Sequence, residues 1–257
     1  MTDRIRFGIM WLLRVWSLLC LATAIGADTN VVFEADVSIP MRDGIGLSAN
    51  VFKPTGAGPW PVLLGRTPYG KGDEKGAGGR SNAAKGYVTV IQDCRGRGNS
   101  EGVWEPFRDD AADGFDTVEW IGRQPWCTGR VATFGGSYGG WTQWALAPNS
   151  SRFLRTMVPL VPFGNTYENV AYSGGALMLG LTMGWGEAVG GVGFGPDQVR
   201  KSYFHLPLQT FTSQFPKEVP YIRDWVRHPT YDAFWKARGI DHRDAAVTVP
   251  SLNIGGW

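Results

Sequence analysis

The pentapeptide Gly135-Gly136-Ser137-Tyr138-Gly139 constrains this chain more than any other feature. It fits G-x-S-x-G. It follows the apolar run 131–134 (VATF) and precedes a helical stretch, 141–147, that stops at Pro148. A serine set between a strand and a helix must ride a sharp turn. Glycine is needed two residues before and two after it, because side chains there would collide with neighbouring backbone. Such a turn lifts the hydroxyl out of the sheet at the carboxyl ends of the strands. It also points the Tyr138 amide, at a helix amino terminus, toward a place where negative charge can develop. Ser137 is therefore predicted to be a nucleophile. The plain alternative is a glycine-rich turn with a bystander serine.

A strand-turn-helix unit needs a sheet, and the rest of the chain supplies one. Residues 31–39 and 45–52 alternate as strands do, with Met41-Arg42-Asp43-Gly44 as hairpin chemistry between them. The runs 61–65, 87–92, 131–134, 154–161 and 247–254 read as buried or parallel strands. Residues 109–123 read as a helix, with Ala112, Phe115, Val118 and Gly122 on the apolar face. Asp109, Asp110, Asp113, Asp116 and Glu119 form a solvated face that suits the helix dipole. No His or Cys joins these acids at ligand spacing, so no metal site is expected. Strands alternating with helices predict an α/β fold with a mostly parallel sheet.

Composition narrows the classes. An apolar fraction of 43% excludes a disordered chain, and a formal net charge of +2 argues against a nucleic-acid binder. Three cysteines are too few for a disulfide scaffold or a four-cysteine zinc site. Cys94 and Cys127 read as buried free thiols, with pairing as the alternative in an exported protein.

Residues 1–27 combine Arg4, Arg6 and Arg14 with a short apolar core and the small residues Ala22, Ala24, Gly26 and Ala27. That pattern reads as a secretory signal, which predicts a secreted or periplasmic protein; a retained membrane anchor is the alternative. Residues 28–164 are expected to form the N-terminal part of the α/β core and 246–257 a further core strand. Between them, 165–245 breaks the rhythm. Residues 171–195 hold nine glycines among leucines and methionines, and 203–238 is aromatic and charged. A helical insertion is predicted there, the glycines and Glu187 arguing against a membrane span.

Two loops leave strand ends near the serine. Residues 93–102 are predicted to be a tight, charge-clasped loop that shapes the site; as a dinucleotide fingerprint the spacing fails. Residues 65–72 nearly match a phosphate-binding loop, but Gly72 stands where the magnesium-binding hydroxyl belongs. A nucleotide-binding protein using Lys71 is thus a rival reading. Alternatively this loop, following an early strand, supplies a second oxyanion donor, for which Tyr69 offers its phenol.

Together, Pro40-Met41-Arg42-Asp43-Gly44, Arg66-Thr67-Pro68-Tyr69, residues 93–102, Trp126-Cys127-Thr128-Gly129-Arg130-Val131, Gly136-Ser137-Tyr138-Gly139-Gly140 and Gly255-Gly256-Trp257 resemble the cocaine esterase/NonD hydrolases and their X-Pro dipeptidyl-peptidase and α-amino acid ester hydrolase relatives, peptidase family S15. The resemblance implies an α/β-hydrolase core with a helical cap at 165–245. It implies Ser137 as nucleophile and an oxyanion hole made by the Tyr69 hydroxyl and the Tyr138 amide. No cofactor or metal is implied. The partner would be a small ester, amide or short peptide, not a nucleic acid.

The resemblance also implies an acid, a His and a C-terminal jelly-roll domain beyond Trp257, so the chain is expected to be a weakly active or inactive fragment. An inactive binding module is the other outcome. His205, His228 and His242 read as surface or cap-packing residues and are assigned no part in catalysis. The stripe Tyr221, Trp225, Tyr231, Phe234, Trp235 reads as packing, with some rings available to line an acyl pocket under the cap. A substrate α-amino group would call for a cap carboxylate: Glu168, Glu187, Asp197 and Asp224 are available and none stands out.

Overall fold

The computed structural model describes residues 31–75, 78–149, 151–190, 203–214 and 219–256. The signal reading of 1–27 and the acid Asp197 lie outside the described residues.

Strand β1, Val31–Pro40, turns back through Arg42 and Gly44 (φ 84°) into β2, Gly46–Pro54. The turn is clipped to the body of the protein by Arg42, whose amide and guanidinium donate to the Asp116 carboxylate at 2.7–3.1 Å. Strand β3, Trp60–Thr67, then a short helix α1, Gly79–Ala84, lead to β4, Val88–Asp93. Helix α2, Asp110–Gly122, precedes β5, Cys127–Gly136; helix α3, Tyr138–Leu146, precedes β6, Leu154–Leu160.

The six strands form one sheet in the order β1-β2-β4-β3-β5-β6. The first two pairings are antiparallel, and the run β4-β3-β5-β6 is parallel. Helices α2 and α3 cover one face, where Val62, Leu64, Val90, Val131 and Met157 meet Val118, Ile121 and Leu146. Helix α1 sits on the other, with Ala83 against Phe52 and Ile91. This is the mixed, mostly parallel sheet of an α/β-hydrolase.

Two expectations are corrected. The 247–254 strand is reduced to two parallel bridges on the free edge of β6, Met157 with Ser251 and Leu160 with Ile254. Pro250 has no N–H to give the ladder, although the amides of Leu252 and Ile254 still donate to Met157 and Pro159 at 2.9 and 3.0 Å. The buried face of α2 is also only partly the expected one, Val118 being buried as expected but Ala112, Phe115 and Gly122 only half so. Asp110, Asp113, Gly114, Thr117, Val118 and Ile121 face inward, so two of the acids read as solvated are buried.

Beyond β6 the chain makes a one-turn π-helix, Tyr167–Ala171, and a two-residue hairpin of β7, Tyr172–Ser173, and β8, Ala176–Leu177. Helix α4, Leu179–Gly190, follows, then α5, Pro220–Arg227, and α6, Ala233–Lys236. No described helix is long and apolar enough to cross a membrane. Proline at the first position of α5 loses no bond, since that N–H is unpaired in any helix.

The core of this segment is continuous with the top of α3. Ile222, Trp225 and Trp235 share one cluster with Phe107, Tyr138 and Trp141. Trp141, Trp225 and Trp235 are among the largest fully buried side chains. Each removes roughly 150–250 Å² from water, worth about 4–6 kcal/mol before ordering entropy. That burial holds the helical segment above the carboxyl end of β5.

Candidate active site

Strand β5 runs parallel between β3 and β6 and ends at Gly136, so the next residue emerges at the carboxyl edge of the sheet. Ser137 has φ 54° and ψ −118°, a conformation that an L residue holds only under constraint. Both of its backbone groups are used. Its N–H donates to Leu160 O at 2.9 Å, and its carbonyl accepts from Gly140 and Trp141 at 2.8 and 2.9 Å to start α3. The side chain is left exposed.

Both flanking glycines sit where a side chain would be crowded against backbone. Gly135 has φ 142°, and a Cβ there would lie 3.2–3.3 Å from the Gly139 backbone. A Cβ on Gly139 would lie 3.3 Å from Arg66 O. Beneath the turn, the buried Gln143 amide donates to Gly135 O and Gly139 O at 3.1 and 2.8 Å and accepts from Val158 N at 3.0 Å. Sequence reasoning missed this brace. Its only signal was a polar residue in the middle of an apolar helix.

Tyr138 opens α3, so its amide stands ahead of the intrahelical ladder and faces the end of the helix where anions are favoured. Its phenol points the other way, into the protein. The hydroxyl donates to Asp110 Oδ2 at 2.7 Å and accepts from the Phe107 amide at 2.9 Å. The Trp141 indole N–H donates to the same Asp110 oxygen at 3.1 Å.

Behind Asp110 lies a charge network buried between α2 and the sheet. Arg66 donates to Asp110 O at 2.8 Å and to Gln92 Oε1 at 2.9 Å, and its guanidinium is 3.9 Å from the Asp110 carboxylate. Arg95 forks onto Asp113 at 2.6 and 3.0 Å, which clasps the 93–102 loop as the sequence suggested. Burial raises the Asp110 carboxyl above its ordinary pKa, although Arg66, Tyr138 and Trp141 oppose the shift. Burial also pushes the Tyr138 phenol and the Cys94 thiol well up. Cys94 and Cys127 are both buried free thiols.

Ser137 opens into a cavity of about 170 Å³ lined by Tyr69, Phe107, Phe163, Val170, Thr182, Trp185 and Trp225 among others. Among the described residues no charged side chain lines it. Tyr69, on the loop after β3, is 53% exposed, and its hydroxyl accepts from the Trp185 indole at 3.0 Å. The two predicted oxyanion residues and the serine thus share one cavity wall. Phe107 is the hub of the aromatic lining. Its ring lies 5.1 Å from Tyr138, 6.0 Å from Trp185 and 5.8 Å from Trp225, all near parallel. Phe107 holds φ 69°, an unusual value for an aromatic residue. No motif announced it.

Other candidates fall elsewhere. Of the aromatic stripe, Trp225 lines the cavity, whereas Tyr231, Phe234 and Trp235 pack around it. His205 bonds Thr210 at 2.9 Å, His228 bonds Asp232 at 2.6 Å, and none of the three histidines lines the cavity. Glu168 accepts from the Gly174 amide at 2.8 Å, and Asp224 lies near Arg223 and Arg227. Lys71 is buried and bound to Asp36 and Asp93 at 2.8 and 3.0 Å, so its ammonium is neutralised by two carboxylates where a phosphate loop would need it free.

The sequence matches the X-Pro dipeptidyl-peptidase (S15) family over residues 43–257. It is 33% identical over 256 residues to the cocaine esterase of Rhodococcus sp. (strain MB1 Bresler), covering 90% of this chain and 44% of the esterase. Among solved structures it is similar to an α-amino acid ester hydrolase (TM-score 0.71, 25% identity, 90% of this chain and 43% of that one). It is also similar to a CocE/NonD family hydrolase from Staphylococcus aureus (TM-score 0.69, 25% identity, 86% of this chain and 40% of that one). The chain spans less than half the length of these relatives.

Proposed function

The chain belongs to the X-Pro dipeptidyl-peptidase (S15) family of hydrolases, and from that premise we propose that it carries the nucleophile and oxyanion site of a serine acyl hydrolase. Ser137 attacks the acyl carbonyl. The Tyr138 amide and the Tyr69 hydroxyl take the charge of the tetrahedral intermediate, and the leaving group departs to give an acyl-serine. The observation that carries this reading is an exposed serine held at φ 54° between β5 and α3, in one cavity with Tyr69.

The cavity favours a neutral acyl group. Among the described residues the wall is aromatic and aliphatic with Asn169 and Thr182 as neutral polar groups, and no carboxylate lines it to pair with a substrate ammonium, which would enter at a cost of a few kcal/mol. This supports a carboxylic ester over an X-Pro peptide or an α-amino acid ester. The proposed hydrolase is exported, residues 1–27 acting as its secretion signal.

A turning-over serine hydrolase also needs a base at the hydroxyl. His205 and His228 are bonded to Thr210 and Asp232, and none of the three histidines lines the cavity, so acylation by these 257 residues alone is expected to be slow. Intact-mass analysis after incubation with a p-nitrophenyl butyrate and with a p-nitrophenyl α-amino acid ester tests the proposal. The expected result is a butyryl adduct that Ser137→Ala abolishes, forming about tenfold faster than the aminoacyl adduct. An adduct persisting in Ser137→Ala would overturn the nucleophile, and faster aminoacylation would overturn the neutral acyl group.

A further inference from the structure

The buried carboxylate of Asp110 does something a solvated helix acid cannot. Its Oδ2 alone accepts from two residues of the first turn of α3, the Tyr138 hydroxyl at 2.7 Å and the Trp141 indole at 3.1 Å. Those residues are three apart, on one face of the helix. Two bonds to one fixed oxygen set both the rotation of that turn about its axis and its height above the sheet. The same Tyr138 hydroxyl accepts from the Phe107 amide at 2.9 Å, which ties in the residue whose ring is the hub of the cavity wall. Asp110 is itself anchored, since Arg66 bonds its carbonyl at 2.8 Å and stands 3.9 Å from its carboxylate.

We propose that Asp110 is a positioning residue that aims the Tyr138 backbone amide, through the Tyr138 phenol and Trp141, at the oxyanion formed on Ser137. The proposal rests on the acyl hydrolase reading and adds to it a residue with no contact to substrate. Amide donors act on the transition state only when aimed to within about half an ångström. Loosening the first turn of α3 therefore lowers the rate of acyl or phosphonyl transfer more than the affinity for the reagent.

The test compares Asp110→Ala and Asp110→Asn with the unaltered chain. Asparagine keeps one oxygen able to accept both bonds and removes the charge; alanine removes the acceptor. Two readouts are taken: the maximal rate and half-saturating concentration for inactivation by a fluorophosphonate, and amide hydrogen exchange across residues 135–143. Asp110→Ala is expected to slow the maximal rate about 10- to 100-fold with little change in half-saturation. It should also speed exchange of the 137–141 amides, and Asp110→Asn should restore most of both. Equal rates and equal exchange in Asp110→Ala would overturn the proposal, as would an Asn variant no better than Ala. If the unaltered chain takes no phosphonate, the nucleophile reading fails instead. Exchange then still decides whether Asp110 holds the turn, faster exchange in Ala but not Asn supporting it and unchanged exchange overturning it.

Discussion

Ser137 pays a conformational cost of roughly 1–3 kcal/mol for its left-handed backbone, and every group around it serves to impose that geometry. Leu160 O and the amides of Gly140 and Trp141 hold its backbone, and Gln143 ties Gly135 and Gly139 beneath it. Tyr69 is different. It is half exposed, and the hydrogen bond of its hydroxyl is one accepted from Trp185. Tyr69→Phe should therefore leave thermal stability within about 0.5 kcal/mol and slow phosphonylation of Ser137 about 10- to 100-fold. An unchanged rate would remove Tyr69 from the oxyanion hole. Ser137 and Tyr138 could be singled out in the sequence because a strand-turn-helix motif is local, and Tyr69 because it lies on the loop after an early strand and in a stretch that carries the family resemblance. Asp110, Phe107 and Gln143 could not. The Asp110 carboxylate meets partners 28 and 31 residues away, and no spacing rule reaches that far.

At the scale of elements, α2 is the instructive case. Hydrophobic periodicity placed Ala112, Phe115, Val118 and Gly122 inward, yet of these the helix buries Val118 alone and adds Asp110 and Asp113. Charge complementarity decided the rotation. Arg66 on β3 and Arg95 after β4 are fixed by the sheet, and a helix between them must present carboxylates. Asp113→Ala would leave the mostly buried Arg95 guanidinium without its forked partner. Arg95 would keep Asp43, at 2.8 Å, so chemical denaturation should show a loss of about 1.5–3 kcal/mol; a loss under about 1 kcal/mol would mean the network is decorative.

The edge of the sheet carries a second, pH-dependent clasp. Side-chain bonds from Lys71, then Asn99 and Ser48, hold the Asp36 carboxyl down at about 2, below its ordinary 3.8. A group depressed on folding stabilises fully above its unfolded value and loses that contribution as pH falls. The loss belongs between about pH 4 and 2. Asp36→Asn, which tolerates the φ of 53° at this position, should flatten melting temperature against pH in that window and leave the rest of the profile parallel. A profile still as steep would show that Asp36 is not the group titrating.

At the scale of the whole molecule, two layers meet at the serine: a sheet that ends there and a helical segment whose aromatic core runs down onto α3. The order of strands up to β6, with α2 and α3 among them, was legible because apolar runs and turn residues alternate plainly; the short α1, Gly79–Ala84, was not. The last strand was not, because pairing depends on neighbours, and residues 247–254 have β6 on one side and Pro250 within. With no histidine lining the cavity among the described residues, an added base should substitute. Imidazole at tens of millimolar is expected to accelerate phosphonylation of Ser137 at least severalfold, with no effect on the Ser137→Ala chain. A rate indifferent to imidazole would mean that proton removal does not limit attack.

Where a serine-directed reagent lands decides whether Ser137 is the nucleophile. Digestion of the fluorophosphonate-treated chain and tandem mass spectrometry of the peptide spanning residues 131–152 reads this directly. One phosphonyl group per chain, fixed on Ser137 and missing from the Ser137→Ala protein, is the predicted result. Label spread over other hydroxyls, or retained by Ser137→Ala, would contradict it.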